Sequence, residues 1–281
     1  MGTSVLNLGT VTSSLLIFGG PYSNLAATRA VLATAKSPAI PSSSIICTGD
    51  VVAYGAEPEQ TCRLLIESGI QVVMGNCEES LANDSSDCGC GFDENMLCSL
   101  LSQKWYRYAR QNISRQSREW MSGLPTAIAF DCYGKKFRVI HGGIKQINQF
   151  IFSSTQAHIK QQQLDELMVD CIIGGHSGIP FGQTLGEQYW LNAGVIGVPA
   201  NDSTRQGWYL LIEPFNDRIN ISWHRLEYEF EKSARAMLQA GLDEYAESLL
   251  TGLWPSSDVL PVAEQSAQGQ PLNIPDLTIH L

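Results

Sequence analysis

The chain has no surplus of positive charge: 18 Lys and Arg against 28 Asp and Glu leave 281 residues with a net charge of −10. That balance argues against nucleic-acid phosphate as the main partner, although a bound cation can reverse such a field locally. Long apolar runs are also missing. A membrane span needs roughly 20 apolar residues, whereas Leu15–Phe18 is only strand length. The first 20 residues lack the basic segment and small-residue cleavage site of a secretory signal. The eight cysteines therefore read as thiols of a cytoplasmic protein rather than a disulfide framework. There is no internal repeat, no Walker-type loop, no GxGxxG and no Gly-x-Ser-x-Gly. Those absences remove P-loop, dinucleotide-fingerprint and serine-hydrolase chemistry, and the adjacency of His176 and Ser177 is not a triad arrangement.

What is present is organised around Ile45–Glu79, IICTGDVVAYGAEPEQTCRLLIESGIQVVMGNCEE. Two short apolar strands, Ile45–Thr48 and Ile70–Met74, flank a helix expected from about Glu57 to Ser68. Each strand runs into a glycine turn that presents a polar side chain, Asp50 after Gly49 and Asn76 after Gly75. In an open α/β sheet, ligands gather beyond the carboxyl ends of the strands. Asp50 and Asn76 therefore belong at one rim, where two hard oxygen donors suit a metal or a phosphate.

Along the rest of the chain, Met1–Ser13 reads as a flexible Gly/Ser/Thr-rich leader. Ser14–Phe18 is a buried strand and Asn24–Ala35 a helix, joined by the turn GGPYSN. In Asn83–Glu94, Cys88 and Cys90 form a Cys-x-Cys that can supply thiolates to a borderline metal, or lie in a surface loop. Asn95–Ile113 is a long helix with Leu97, Leu100, Leu101, Trp105 and Tyr108 along one face, and Ser114–Met121 continues as a second helix. Ala127–Cys132 and Lys136–Ile140 form a hairpin around Tyr133-Gly134 that delivers His141. Gln162–Met168 is helical, and Asp170–Gly174 is a strand that delivers His176. Tyr189–Asn192, Gly207–Glu213 and Ile219–Trp223 read as meander strands. Residues 226–254 read as packing helices or an oligomer contact, and 255–281 as an extended tail.

GDVVAYGAEP followed by VVMGNCEESL, then VIHGG at His141 and IIGGHSGIPF at His176, resembles the ordered motifs of the calcineurin-like metallophosphoesterases. The small bacterial and archaeal phosphodiesterase-like branch is the most similar in flavour, and the resemblance runs from Leu15 to Trp223. It implies a sandwich of two mixed β-sheets flanked by helices over residues 14–225, with a helical excursion at about 94–123 that often overhangs the site. Trp105, Tyr106 or Arg110 would then be within reach of substrate, against the plainer reading of the aromatic stripe as core.

The family holds two divalent metals. Carried over residue by residue, the resemblance assigns Asp50, Asn76, His141 and His176 to one of them. The other loses three ligands, because Gly20, Tyr22 and Gly178 stand at the positions of an aspartate and two histidines. Gly-Gly-Pro explains the first turn structurally, with Tyr22 as substrate contact or ligand the sharper alternative. Two oxygens and two imidazole nitrogens suit one Zn²⁺, Mn²⁺ or Fe²⁺ ion; two ions would need help from Tyr22, Cys77, Cys88 or Cys90. Cys77 replaces the family's catalytic histidine, and Glu78 beside it is the candidate substitute acid. The resemblance thus implies a metal-dependent phosphatase or phosphodiesterase acting on a small phosphorylated substrate. The alternatives are a silent metal- or ligand-binding protein and a thiol-redox protein whose Cys77, Cys88 or Cys90 has a lowered pKa.

Overall fold

The computed structural model describes residues 4–37, 39–91 and 97–280. In chain order the first half contains β1 (Val5–Thr10), β2 (Leu15–Phe18), α1 (Leu25–Thr34), β3 (Ile45–Cys47), α2 (Pro58–Ser68), β4 (Gln71–Val72), α3 (Asn76–Ala82), α4 (Leu97–Asn112) and α5 (Arg115–Ser122). The second half contains β5 (Ala127–Cys132), β6 (Lys135–Ile140), α6 (Ala157–Leu167), β7 (Cys171–Gly174), β8 (Phe181–Leu185), β9 (Gln188–Asn192), β10 (Gly207–Phe215) and β11 (Arg218–Leu226). It closes with α7 (Phe230–Gln239), α8 (Asp243–Thr251), α9 (Val262–Ser266) and β12 (Leu277–His280).

The strands form two six-stranded mixed sheets, ordered β1-β5-β6-β7-β9-β8 and β12-β11-β10-β2-β3-β4. In β2 the alternation of a strand divides a wholly apolar sequence between two cores. Leu15 and Ile17 join Ile46, Ile128, Val139, Ile173 and Leu210 between the sheets, while Leu16 and Phe18 face the helical layer with Ala27, Val31 and Trp105. On the other outer face, Leu164 of α6 packs with Ile172 and Trp190. The parallel pairs β2–β3, β3–β4, β6–β7 and β7–β9 bring strand ends from both sheets to one rim.

Local chemistry sets most boundaries. Asn24 caps α1 by accepting from the Ala27 N–H, and Pro58 opens α2 where its missing N–H costs nothing. Tyr133 and Gly134 both have positive φ, as a tight hairpin turn requires.

The two ends of the chain depart from expectation. Within the supposed leader, Val5–Thr10 pairs in parallel with β5, and the tail contributes β12 as an antiparallel partner of β11, with Ile279 buried. The meander strands divide between sheets: β9 belongs to the first, with the unforeseen β8 as its edge neighbour, and β10 and β11 to the second. Helix α4 also buries a different face. Trp105 is buried, but Leu97 and Leu100 are exposed, because the packing side is set by Tyr54 and Tyr106 around Trp105. Asn95 and the residues just before it, where that helix and its excursion were expected to begin, lie outside the described residues. Among the described residues, no helix is long and apolar enough to cross a membrane.

Candidate metal centre

Four strand ends build the site. β3 runs into Thr48-Gly49-Asp50, where Gly49 (φ 101) and Asp50 (φ 55) turn the chain sharply. A Cβ on Gly49 would lie 2.7 Å from the Gly75 nitrogen and 2.9 Å from His141 Nδ1, so only glycine lets the loops approach. β4 leads to Gly75 and to Asn76 at the start of α3. β6 delivers His141 from the other sheet, and β7 delivers His176, whose backbone N–H donates to the His141 carbonyl at 2.9 Å. Gly175 must also be small, because a Cβ there would overlap the Thr48 side chain.

The donor atoms converge. His141 Nε2 lies 3.0 Å from Asn76 Oδ1, 2.9 Å from His176 Nδ1 and 3.3 Å from Asp50 Oδ2. Asp50 Oδ2 and His176 Nδ1 are 3.8 Å apart. All four residues are buried, at 1–7 % exposure.

Second contacts fix the orientation of each group. His141 Nδ1 donates to the Thr48 carbonyl at 2.7 Å, leaving the Nε2 lone pair facing the centre. Asn76 Nδ2 donates to the Cys88 carbonyl at 2.9 Å, which turns Oδ1 the same way. A carboxylate oxygen, an amide oxygen and an imidazole lone pair thus face one another without a hydrogen between them. A metal ion or a proton on His141 satisfies all three together, whereas a neutral His176 donating from Nδ1 at 2.9 Å satisfies the imidazole lone pair alone. Donors bound to one ion at roughly 2.0–2.2 Å lie about 3–3.5 Å apart, and most of the measured separations are of that size. The residues fit a divalent ion.

Electrostatics follow the same logic. Burial alone would raise the Asp50 carboxyl, but the charge and hydrogen bond of His141 hold it well below the usual carboxylate range. Burial alone would lower His141, yet Asp50 raises it. His176 is lowered, chiefly by burial, and its Nε2 has no partner within hydrogen-bond geometry.

Glu78 does not occupy the position expected of a substitute acid. Its carboxylate accepts from the backbone N–H groups of Asp50 (2.7 Å), Gly75 (3.0 Å) and Val52 (3.3 Å), tying the two rim loops together. Burial, and then the Asp50 charge, push its pKa up to about 7. Its carboxylate is turned onto the backbone of the two loops. Its direction followed from the i to i+3 relation to Gly75 at the start of α3, a signal the sequence did carry.

Cys77, Cys88 and Cys90 gather beside Asn76. Cys88 Sγ donates to Cys90 Sγ at 2.7 Å, and Asn76 Nδ2 lies 3.3 Å from Cys90 Sγ and 3.6 Å from Cys77 Sγ. The Cys-x-Cys is therefore not a surface loop with idle thiols, since all three residues are buried. Burial pushes the Cys77 thiol up, and the neighbouring sulfurs raise Cys88 and Cys90. These directions are opposite to the lowered pKa expected of a redox thiolate.

Tyr22 also sits at the rim, with φ 50 and 4 % exposure. Its ring lies where a Cβ on Gly20 would be, and the Trp254 ring similarly covers Gly178, 3.3 Å from a Cβ added there. Trp105, Tyr106 and Arg110 do not reach the site. Trp105 packs against Tyr54, Tyr106 donates to the Ser85 carbonyl, and Arg110 pairs with Asp84. Sequence reading missed Thr48, Phe150 (ring 4.3 Å from His176), Tyr245 and Trp254. The first follows from its place before Gly49; nothing local marks the others.

Comparison with known proteins matches these features to one family. A model of the calcineurin-like phosphoesterase superfamily domain matches residues 17–214. An uncharacterized protein of Methanocaldococcus jannaschii is 26% identical over 255 residues, 84% of this chain and 96% of its own. A metallophosphoesterase from Sphaerobacter thermophilus superposes with a TM-score of 0.66 at 20% identity, covering 86% of this chain and 100% of that one. A hypothetical protein from Pyrococcus horikoshii OT3 gives 0.69 at 12% identity, covering 86% and 99%. The two structures share the fold.

Proposed function

The chain belongs to the calcineurin-like phosphoesterase superfamily, and we propose that it hydrolyses a small phosphoester with a single divalent ion held by Asp50, Asn76, His141 and His176. The observation that carries this reading is the close approach of the ligand atoms of Asp50, Asn76, His141 and His176, with His141 Nδ1 already committed to the Thr48 carbonyl. An ion bound there supplies Lewis acidity toward a phosphoryl oxygen and toward water.

The protein groups do the rest. Thr48 holds His141 in one tautomer, and the Cys88 carbonyl holds Asn76 with its oxygen inward. Glu78 fixes the spacing of the loops carrying Asp50 and Asn76, and Phe150 covers one face of His176. Burial of the whole set excludes bulk water and strengthens each electrostatic contact.

One observation favours a second reading, a metal-binding protein without turnover. Glu78 is spent on backbone N–H groups and Cys77 is a buried thiol of raised pKa, so neither is placed as a proton donor to a leaving group. General acid catalysis contributes about 10²–10⁴-fold where it operates, and its loss falls hardest on esters of poor leaving groups. The chemistry therefore suits diesters or monoesters whose leaving group needs little protonation.

The test is steady-state hydrolysis of phenyl phosphate and diphenyl phosphate by protein loaded with Mn²⁺, Zn²⁺ or Fe²⁺, beside His141→Ala. Turnover that disappears in the variant supports the enzyme reading. Tight metal binding with no turnover on either ester selects the binding protein.

A further inference from the structure

Beside His176 the site opens into a narrow pocket whose cavity volume is about 60 Å³, within about 600 Å³ of non-atom space that includes open solvent. Its walls are the rings of Tyr22, Tyr54, Phe150, Tyr245 and Trp254. Two of those rings stand over glycines: Tyr22 over Gly20 and Trp254 over Gly178. Several of the rings already pack against one another. Tyr22 and Tyr54 are 4.7 Å apart and tilted, Tyr54 and Tyr245 are stacked at 4.4 Å, and Phe150 leans on His176.

Among the described residues, no Lys, Arg, Asp or Glu lines this pocket. Two of its serine hydroxyls donate to backbone carbonyls. Ser177 donates to the Ile151 carbonyl and accepts from Asn192, Ser248 donates to the Glu244 carbonyl, and Ser256 accepts from the Asp258 N–H. A charged group placed here would lose its hydration and meet no counter-charge. A flat apolar ring would meet aromatic faces and edges at the 4.5–7 Å separations that such rings prefer. The open groove on the His141 side is different in kind, being lined by Arg138, Lys145 and Asn148.

We propose that this pocket receives a planar, uncharged aromatic ring of the substrate, held next to the phosphoryl group at the metal donors. The inference rests on the phosphoesterase reading and narrows it to aryl-type or base-like esters whose ring carries no second phosphate. Residues 245–259, which supply Tyr245, Trp254 and Val259 to the walls, lie beyond the segment 17–214 that the family model matches. The C-terminal segment therefore supplies two of the five rings, and Tyr22, Tyr54 and Phe150 of the matched segment supply the other three.

The test is isothermal titration of the metal-loaded protein with phenylphosphonate, cyclohexylphosphonate and methylphosphonate, which share the anionic head and differ in the group carried. Phenylphosphonate should bind about tenfold more tightly than methylphosphonate, with cyclohexylphosphonate weaker than phenyl. Trp254→Leu and, separately, Tyr245→Leu should shrink the phenyl preference while leaving methylphosphonate affinity unchanged. Equal binding of phenyl- and methylphosphonate overturns the ring pocket and leaves the phosphoester reading intact. Cyclohexyl binding as tight as phenyl overturns the planar requirement. Failure of all three to bind metal-loaded protein overturns both readings together.

Discussion

Two halves of one rim have opposite chemistry. The ends of β3, β4, β6 and β7 present oxygen and nitrogen donors, oriented by backbone groups and buried carboxylate. The β2–α1 turn and the segment after α8 present rings. Both halves rely on glycine, with opposite consequences. Gly49, Gly75 and Gly175 let polar loops approach until their donors meet, whereas Gly20 and Gly178 yield their side-chain space to Tyr22 and Trp254. The backbone of a sheet rim supplies a place, and the side chains decide whether it holds a cation or an apolar group.

The comparison is broken most severely at the donor half. His141→Ala leaves the Asp50 carboxylate buried without its partner and removes a central donor, so metal affinity should fall by at least about a hundredfold, read by elemental analysis after gel filtration. Glu78→Gln acts one step further out, by turning an amide toward three backbone N–H groups. It should cost about 1–3 kcal/mol in urea unfolding and about 10–100-fold in metal affinity. On the aromatic half, Gly20→Ala meets both a positive φ and the Tyr22 ring. A destabilisation of about 1–3 kcal/mol is expected. Adding Tyr22→Ala should recover the overlap but not the backbone strain, a coupling that a double-mutant cycle measures. Cys77→Ser should matter least, changing metal affinity less than about threefold, since Asn76 is oriented mainly by the Cys88 carbonyl. Loss of a bound ion in that variant would give the thiol a ligand role and blur the two halves.

How much of this could be read beforehand follows the range of the interactions. Asp50, Asn76, His141 and His176 were legible because each follows an apolar strand into a glycine turn, a local pattern that places a side chain at a sheet rim. The two-sheet fold was legible through the order of those same motifs. Glu78 was visible as a candidate acid, but its backbone contacts were not, because they run to the loop 28 residues earlier as well as to its own helix start. The exposure of Leu97 and Leu100 was hidden for a related reason: helical spacing identifies a stripe, but the aromatic cluster around Tyr54 chooses which stripe is buried. β1 and β12 are edge strands whose existence depends on pairing with β5 and β11, far along the chain. Trp254 was the least accessible of all. Its meaning comes from lying over Gly178, and no local pattern connects a tryptophan after a helix to a glycine 76 residues before it.

On the proposed function, one half of the rim holds a metal and the other does not. Metal content per chain, measured on protein purified anaerobically without a metal-binding tag and then loaded with Mn²⁺, Zn²⁺ or Fe²⁺, tests it directly. One ion per chain, lost on His141→Ala and kept on Tyr22→Phe, is the predicted result. Two ions per chain, or an ion that survives His141→Ala, would contradict it.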